Sequence, residues 1–135
     1  MGRRKRILVV LLTAVLGPSA LAQDKMPGIK EIMARLNKPG GIYPAIAKEL
    51  KADDTDWDDI QQQAKTFEKL ATALGKNSPP KGDAASWERL TKEYADNARA
   101  LEQAASRKDR TATKAAHARL GGSTCATCHK AHQKK

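Results

Sequence analysis

Cys125-Ala126-Thr127-Cys128-His129 is the stretch on which the interpretation of this chain depends. Two cysteines three residues apart, with a histidine directly after the second, form the attachment pattern of a c-type haem. On a helix, residues three and four positions apart share a face. Both thiols can then reach the two vinyl carbons of one porphyrin edge while the His129 imidazole turns to the iron. The chain has only these two cysteines, so none is left for a disulfide, an iron–sulfur cluster or a nucleophile.

Two other chemistries use the same residue types. A redox dithiol is expected in a βαβ context, and nothing in this sequence alternates like a strand. A structural zinc site needs four ligands, which Cys125, Cys128, His129 and His132 could supply, but such sites usually gather ligand pairs from separated segments. The pattern therefore favours haem over a zinc site, a disulfide or a redox pair.

Residues 1–22 have the pattern of a secretory signal peptide. A basic front at 3–6 precedes an apolar run at 7–17, and Ala20-Leu21-Ala22 predicts cleavage before Gln23. A membrane span needs about twenty apolar residues, and Pro18 ends this run early. Because c-type haem is attached outside the cytoplasm in bacteria, export and haem attachment support each other. The expected location is the periplasm, with no stable membrane insertion.

The remaining segment, 23–135, is expected to form one domain. Loss of the four basic residues at 3–6 lowers the formal net charge from +10 to +6. We interpret this positive charge as favouring solubility and weakly steering the protein toward acidic partner surfaces. We expect no nucleic-acid partner. The acidic block at 53–59 precedes a predicted helix, where it favours the helix dipole, and no metal site is expected there.

The composition and the Pro and Gly punctuation of this segment predict an all-α fold. The predicted helices run over 28–37, from a cap at Thr55 to Gly75, from a cap at Asp83 onward, and from about Asp109 into the haem segment. Pro39 to Pro44 break the first helix, a short helical turn follows at 45–51, and Gly121-Gly122 interrupts the last helix.

Apolar residues at helical spacing mark the expected buried faces. These residues are Ile29, Ile32, Met33 and Leu36; Ile60, Ala64, Phe67, Ala71 and Leu74; Trp87, Leu90, Tyr94, Ala98, Leu101 and Ala105; and Ala112, Ala115, Ala116 and Leu120. Four amphipathic helices with short loops predict an antiparallel four-helix bundle. The alanine-rich stripes bury little surface, so a haem would add apolar mass to the core. We expect the haem-free chain to be poorly ordered.

In these features the chain resembles the class II c-type cytochromes, the family of cytochrome c-prime and its six-coordinate relatives. The resemblance covers the signal peptide, the four helices and the late Cys-x-x-Cys-His motif, which class I cytochromes carry near the amino end. It implies one covalent haem c within the bundle, attached on the C-terminal helix. It also implies redox or gas-binding chemistry in the periplasm.

The resemblance places the sixth iron ligand on the first helix, where a methionine makes a low-spin electron carrier. Met33 is the expected ligand because it lies mid-helix on the apolar stripe, and Met26 is the alternative. A thioether opposite histidine raises the reduction potential. Family members often carry an arginine four residues before the distal residue, paired with a haem propionate. This chain has Ile29 there, so Lys30 is the expected propionate contact.

The other two histidines are not expected to bind iron. His132 lies three residues after His129 on the same helix and cannot approach from the opposite side, so we expect a surface or propionate-side position. His117 lies twelve residues before His129 and would need a sharp reversal at Gly121-Gly122.

The functional hypothesis is a one-electron carrier with His129 and Met33 on the iron, not an enzyme, with no catalytic residue. Its partners would be redox proteins that dock transiently near the C-terminal lysines, and the resemblance leaves a homodimer open. The alternative is a five-coordinate binder of nitric oxide or carbon monoxide, with Met33 off the iron and a small residue or Leu36 at the open position. A haem peroxidase has little support, because the first helix offers no distal histidine.

Overall fold

The computed structural model describes residues 25–134. Within this range it forms six helices and no strand: α1 (Ile29–Asn37), α2 (Ile42–Glu49), α3 (Trp57–Gly75), α4 (Ala84–Ser106), α5 (Arg110–Gly121) and α6 (Ser123–His132). The helices pack against one another around a continuous apolar core. The all-α prediction is therefore confirmed. The predicted signal peptide, 1–22, lies outside the described residues.

The face of α1 is the predicted one. Ile32 and Leu36 are fully buried, and Ile29 and Met33 are half-buried against the same core. The helix ends at Asn37 because the following residue, next to a proline, adopts an extended conformation. Among helices α1 to α6, none is both long and apolar enough to cross a membrane.

Helix α2 begins at Ile42, three residues before the predicted short turn. The sequence predicts a break at Pro44, but Pro44 lies in the first turn of α2. Amide groups in the first turn have no partner within the helix, so a proline is tolerated there. The prediction failed because it treated every proline in this stretch as a breaker.

The predicted cap of α3 is wrong by one residue. Asp56 caps the helix, and its Oδ1 accepts a hydrogen bond from the Asp59 amide at 3.0 Å. The Thr55 hydroxyl instead donates to the Ala52 carbonyl at 3.2 Å and accepts from the Arg110 guanidinium. A carboxylate is the better cap because its negative charge also interacts favourably with the helix dipole. Thr55 instead connects α5 to the end of α2.

Helix α4 agrees with the prediction in both its start and its face. Asp83 caps it, with Oδ2 accepting from the Ser86 amide at 2.7 Å. Every residue of the predicted stripe is buried: Trp87, Leu90, Tyr94, Ala98, Leu101 and Ala105. The helix packs against α3, α5 and α6 and so forms a central wall of the domain.

A tight turn joins α4 to α5. The Lys108 amide donates to the Ala105 carbonyl, and the Asp109 amide donates to the Ala104 carbonyl. Lys108 lies in the left-handed region with φ of 56°. This is the Schellman arrangement, in which that position is usually glycine. Helix α5 then begins where the sequence predicts, and Asp109 caps it, with Oδ1 accepting from the Ala112 amide at 2.9 Å.

The buried face of α5 differs from the predicted one. Ala116 and Leu120 are buried as expected, but Ala115 is exposed and Ala112 is only partly covered. Two polar residues, Thr113 and His117, are buried on this face instead. Both find backbone acceptors: the Thr113 hydroxyl donates to the Asp109 carbonyl at 2.6 Å, and His117 is paired with a carbonyl of α2. Burying a polar side chain costs little free energy when it has a hydrogen-bond partner. The pattern of apolar residues therefore predicted the wrong buried face for α5.

Candidate functional site

The Cys-x-x-Cys-His segment lies on α6, which Gly122 separates from α5. Gly122 has φ of −89° and ψ of −130°, outside the helical region, so the chain bends there as predicted. Thr124 is buried, and its hydroxyl lies 3.4 Å from Glu93 Oε1 on α4. The bend and this contact set α6 against α4 and α5.

Both thiols lie on the core side of α6. Cys125 and Cys128 are half-buried, packed against the apolar core, and not joined in a disulfide. Cys125 Sγ donates to the Leu120 carbonyl at 2.8 Å. Burial raises the pKa of both thiols, and the neighbouring Cys125 raises the pKa of Cys128 further. The pair therefore stays protonated near neutral pH, whereas reactive redox cysteines have lowered pKa values.

His129 is the exposed one of the three histidines in this chain. It follows Cys125 by four residues, which places it about 40° around the helix from that thiol. It is therefore on the same side of α6 as Cys125 while its imidazole stays accessible. Such a position suits a ligand to a metal held beside the thiols.

His132 does not lie at the surface, so the surface position expected for it is wrong, while a propionate-side position stays a prediction. It is 2 % exposed. Its Nδ1 lies 2.8 Å from the Lys81 carbonyl, and its Nε2 lies 3.2 Å from Ser86 Oγ. The ring also meets Trp87 edge to face, with centroids 5.4 Å apart. Both nitrogens are engaged, so His132 anchors the end of α6 to α4 and to the loop before it.

His117 fastens α5 to α2. Its ring stacks on Tyr43 with centroids 3.9 Å apart and an interplanar angle of 12°, and its Nε2 lies 2.8 Å from the Tyr43 carbonyl. Burial lowers the pKa of His117, although the carbonyl contact opposes this. The Tyr43 hydroxyl lies over Gly121, one turn further along α5, where a Cβ would be only 1.9 Å from it. Tyr43 is thus held between His117 and Gly121 at the base of the cysteine segment.

Tyr43 and Tyr94 lie near the thiols. Burial raises the pKa of both phenols, and Cys125 adds to the increase in each. The side chain of Asn37 lowers the pKa of Tyr94 by hydrogen bonding. Two aromatic side chains, from α2 and α4, are therefore near enough to Cys125 for its charge to affect their pKa.

The candidate distal side chains lie on or before α1. Met33 is half-buried, and its Sδ accepts from Asn37 Nδ2 at 3.6 Å. Met26 is 46 % exposed and precedes α1, and Lys30 is exposed. Among the residues that the structure describes, no Cα of α1 comes within 8 Å of a Cα of α6. Met33 and His129 thus belong to helices whose backbones stay apart.

The donor set fits a covalently attached haem. Two protonated thiols lie three residues apart on one core-facing side of a helix, beside apolar and aromatic side chains, and the adjacent imidazole is accessible. The zinc alternative fits less well because both nitrogens of His132 are engaged away from the cysteines. Within residues 25–134, no three or more His, Cys, Asp or Glu side chains form a group that could hold a metal ion.

Sequence reasoning missed the contacts of Asn37 and Tyr43 near this site, and it did not foresee the burial of His132. Asn37 lies four residues after Met33, so helical spacing could have pointed to their contact. Tyr43 and His132 carried no such signal, because their partners are 74 and 46 residues away along the chain.

Comparison with known proteins does not assign the chain. No protein-family model, no curated protein and no solved structure matches it.

Proposed function

We propose that this chain is an exported c-type cytochrome that carries one haem c and transfers single electrons between proteins. Cys125 and Cys128 would hold the haem through thioethers, and His129 would be the axial ligand. The observation that carries the proposal is the arrangement of α6: both thiols face the core, and of the three histidines the one beside them is accessible.

The thiols would be attached by addition. Each S–H adds across one vinyl group, so that Sγ bonds to one vinyl carbon and the proton goes to the other, with no electrons gained or lost. This requires reduced cysteines, and burial keeps both of them protonated near neutral pH. The haem then supplies the one-electron Fe(III)/Fe(II) couple.

The finer architecture that we propose is an antiparallel four-helix bundle. In this arrangement α1 and α2 form the first helix, interrupted at 38–41, while α5 and α6 form the last, interrupted at Gly122. Contacts of α2 with α3, α3 with α4, α4 with α5 and α5 with α2 support it, because they close a ring. Up-down-up-down bundles hold cofactors between facing helices, which agrees with a haem between the first and last helices.

Met33 is the proposed sixth ligand. It is the half-buried methionine of α1, whereas Met26 is more exposed and precedes the helix. A thioether opposite the imidazole favours the ferrous state and raises the reduction potential. Lys30, exposed one turn before Met33, is the proposed propionate contact because its long side chain can extend along the helix.

The proposed setting is the periplasm, with transient docking of a redox partner. Lys130 and Lys134 are exposed at the end of α6, next to His129. Exposed positive charges speed encounter with an acidic partner surface and let it leave quickly. The protein would bind no substrate and perform no bond-making chemistry in its electron-transfer cycle.

Absorption spectra of the purified ferric and ferrous protein test this function. A low-spin spectrum that becomes high-spin in Met33→Ala supports the carrier, and Met26→Ala is the matched control that should leave the spectrum unchanged. A high-spin spectrum in the unmodified protein would reject the carrier and indicate the five-coordinate gas binder. In that case a small residue or Leu36, which is fully buried in the core, would cap the open position.

A further inference from the structure

We infer that Asn37 is a positioning residue for the Met33 thioether, an inference that rests on the proposed function of Met33 as sixth ligand. Asn37 would orient the sulfur and reduce its electron donation to the iron. It would thereby set the reduction potential and resist displacement of the ligand.

The first support is the contact within α1. Asn37 is the last residue of the helix, one turn after Met33, and its Nδ2 donates to Met33 Sδ at 3.6 Å. A thioether sulfur is a weak acceptor with two lone pairs. The amide occupies one of them and leaves the other for a metal ion. The hydrogen bond and iron ligation are therefore compatible at the same sulfur.

The second support is the contact that Asn37 makes beyond its own helix. Tyr94 of α4 is 6 % exposed; burial raises its pKa, and hydrogen bonding from the Asn37 side chain opposes that rise. Within residues 25–134, no Cα of α1 lies within 8 Å of a Cα of α4, so this contact spans helices whose backbones stay apart. The Asn37 side chain itself is exposed, and its hydrogen bond to Met33 is the contact on which the inference rests.

The consequence follows from the chemistry of ligands held by a neighbouring hydrogen bond. A donor to a ligating atom fixes that atom's orientation and draws electron density away from it. A sulfur that gives less electron density to the iron stabilises Fe(III) less, relative to Fe(II). The hydrogen bond therefore raises the reduction potential. A sulfur held in place also gives way less readily to an added ligand.

The test compares Asn37→Leu with Asn97→Leu in the haem-loaded protein. Leucine has a similar size to asparagine but no amide, and Asn97 is a half-buried residue of α4 that serves as the control. We expect Asn37→Leu to lower the midpoint potential and to increase the affinity of the ferric protein for added imidazole roughly 10-fold. Asn37→Gln, which keeps the amide, should restore part of both properties. Asn37→Ala provides a second amide-free variant.

The possible failures are distinguishable. If Met33→Ala leaves the spin state unchanged, Met33 is not the ligand, and both the ligation and this inference are overturned. If Met33→Ala becomes high-spin while Asn37→Leu and Asn37→Ala behave like Asn97→Leu in potential and in imidazole affinity, the inference alone is overturned.

Discussion

Gly121 is the position where one added methyl group should reveal how tightly α2 and α5 are joined. A Cβ on Gly121 would lie 1.9 Å from the Tyr43 hydroxyl oxygen and 2.5 Å from Cζ. In Gly121→Ala, Tyr43 must therefore withdraw by more than 1 Å to restore an acceptable contact. Its ring is stacked on His117 at 3.9 Å, so withdrawal disturbs that pair as well.

The size of the effect follows from two opposing terms. Inserting a methyl group into a packed contact costs about 1–3 kcal/mol. Alanine in place of glycine favours a helix by roughly 0.5–1 kcal/mol, and the gain is at the low end because Gly121 ends α5. We therefore expect Gly121→Ala to lower the free energy of unfolding by about 0.5–2.5 kcal/mol.

Urea unfolding followed by circular dichroism measures this difference, and a double-mutant cycle isolates its cause. In a Tyr43→Ala background the clash is absent, so Gly121→Ala should become neutral or slightly stabilising. If Gly121→Ala stabilises the unmodified protein as much as it stabilises Tyr43→Ala, the contact between Tyr43 and Gly121 does not hold these helices together.

Three further substitutions test other parts of the structure. Burial lowers the pKa of His117 in the folded protein, so the stabilisation that neutral His117 provides is present above the unfolded value near 6.5 and is lost as the pH falls through the lower folded value. The urea midpoint should therefore fall more between pH 7.5 and 5.5 in the unmodified protein than in His117→Gln. Equal falls in the two proteins would contradict this. Lys108→Gly should raise the free energy of unfolding by about 1 kcal/mol, because glycine adopts the φ of 56° without the strain of a Cβ, and a thermal melt showing no gain would contradict it. His132→Phe keeps an aromatic ring but leaves the Lys81 carbonyl without its partner, so it should cost about 1–3 kcal/mol in urea unfolding; a cost below the error of the measurement would show that this contact does not anchor α6.

Much of the helical layout follows from local patterns in the sequence. The start of α4 was predictable because Asp83 is followed by an uninterrupted apolar stripe, and its carboxylate accepts the Ser86 amide. The break at Gly121-Gly122 was predictable because two adjacent glycines weaken a helix. These features depend on neighbours within one or two turns, which a sequence displays directly.

The features that could not be predicted from the sequence depend on partners far along the chain. Thr55 loses the cap of α3 because the Arg110 guanidinium reaches its hydroxyl from 55 residues away. His132 is buried because Lys81 and Ser86 supply acceptors and donors that no helical pattern displays. The motif predicts both cysteines and His129 as site residues, but their placement relative to the core came only from the packing of α6. Whether Met33 binds the iron stays a prediction.

The most direct test of the central claim is the mass of the intact, denatured protein made in a host that attaches c-type haem after export. The account predicts a mass equal to that of the processed polypeptide plus one haem. It also predicts loss of that addition in the variant that carries both Cys125→Ala and Cys128→Ala. A mass equal to the bare polypeptide in the unmodified protein, from a host that loads a known c-type cytochrome in parallel, would contradict it.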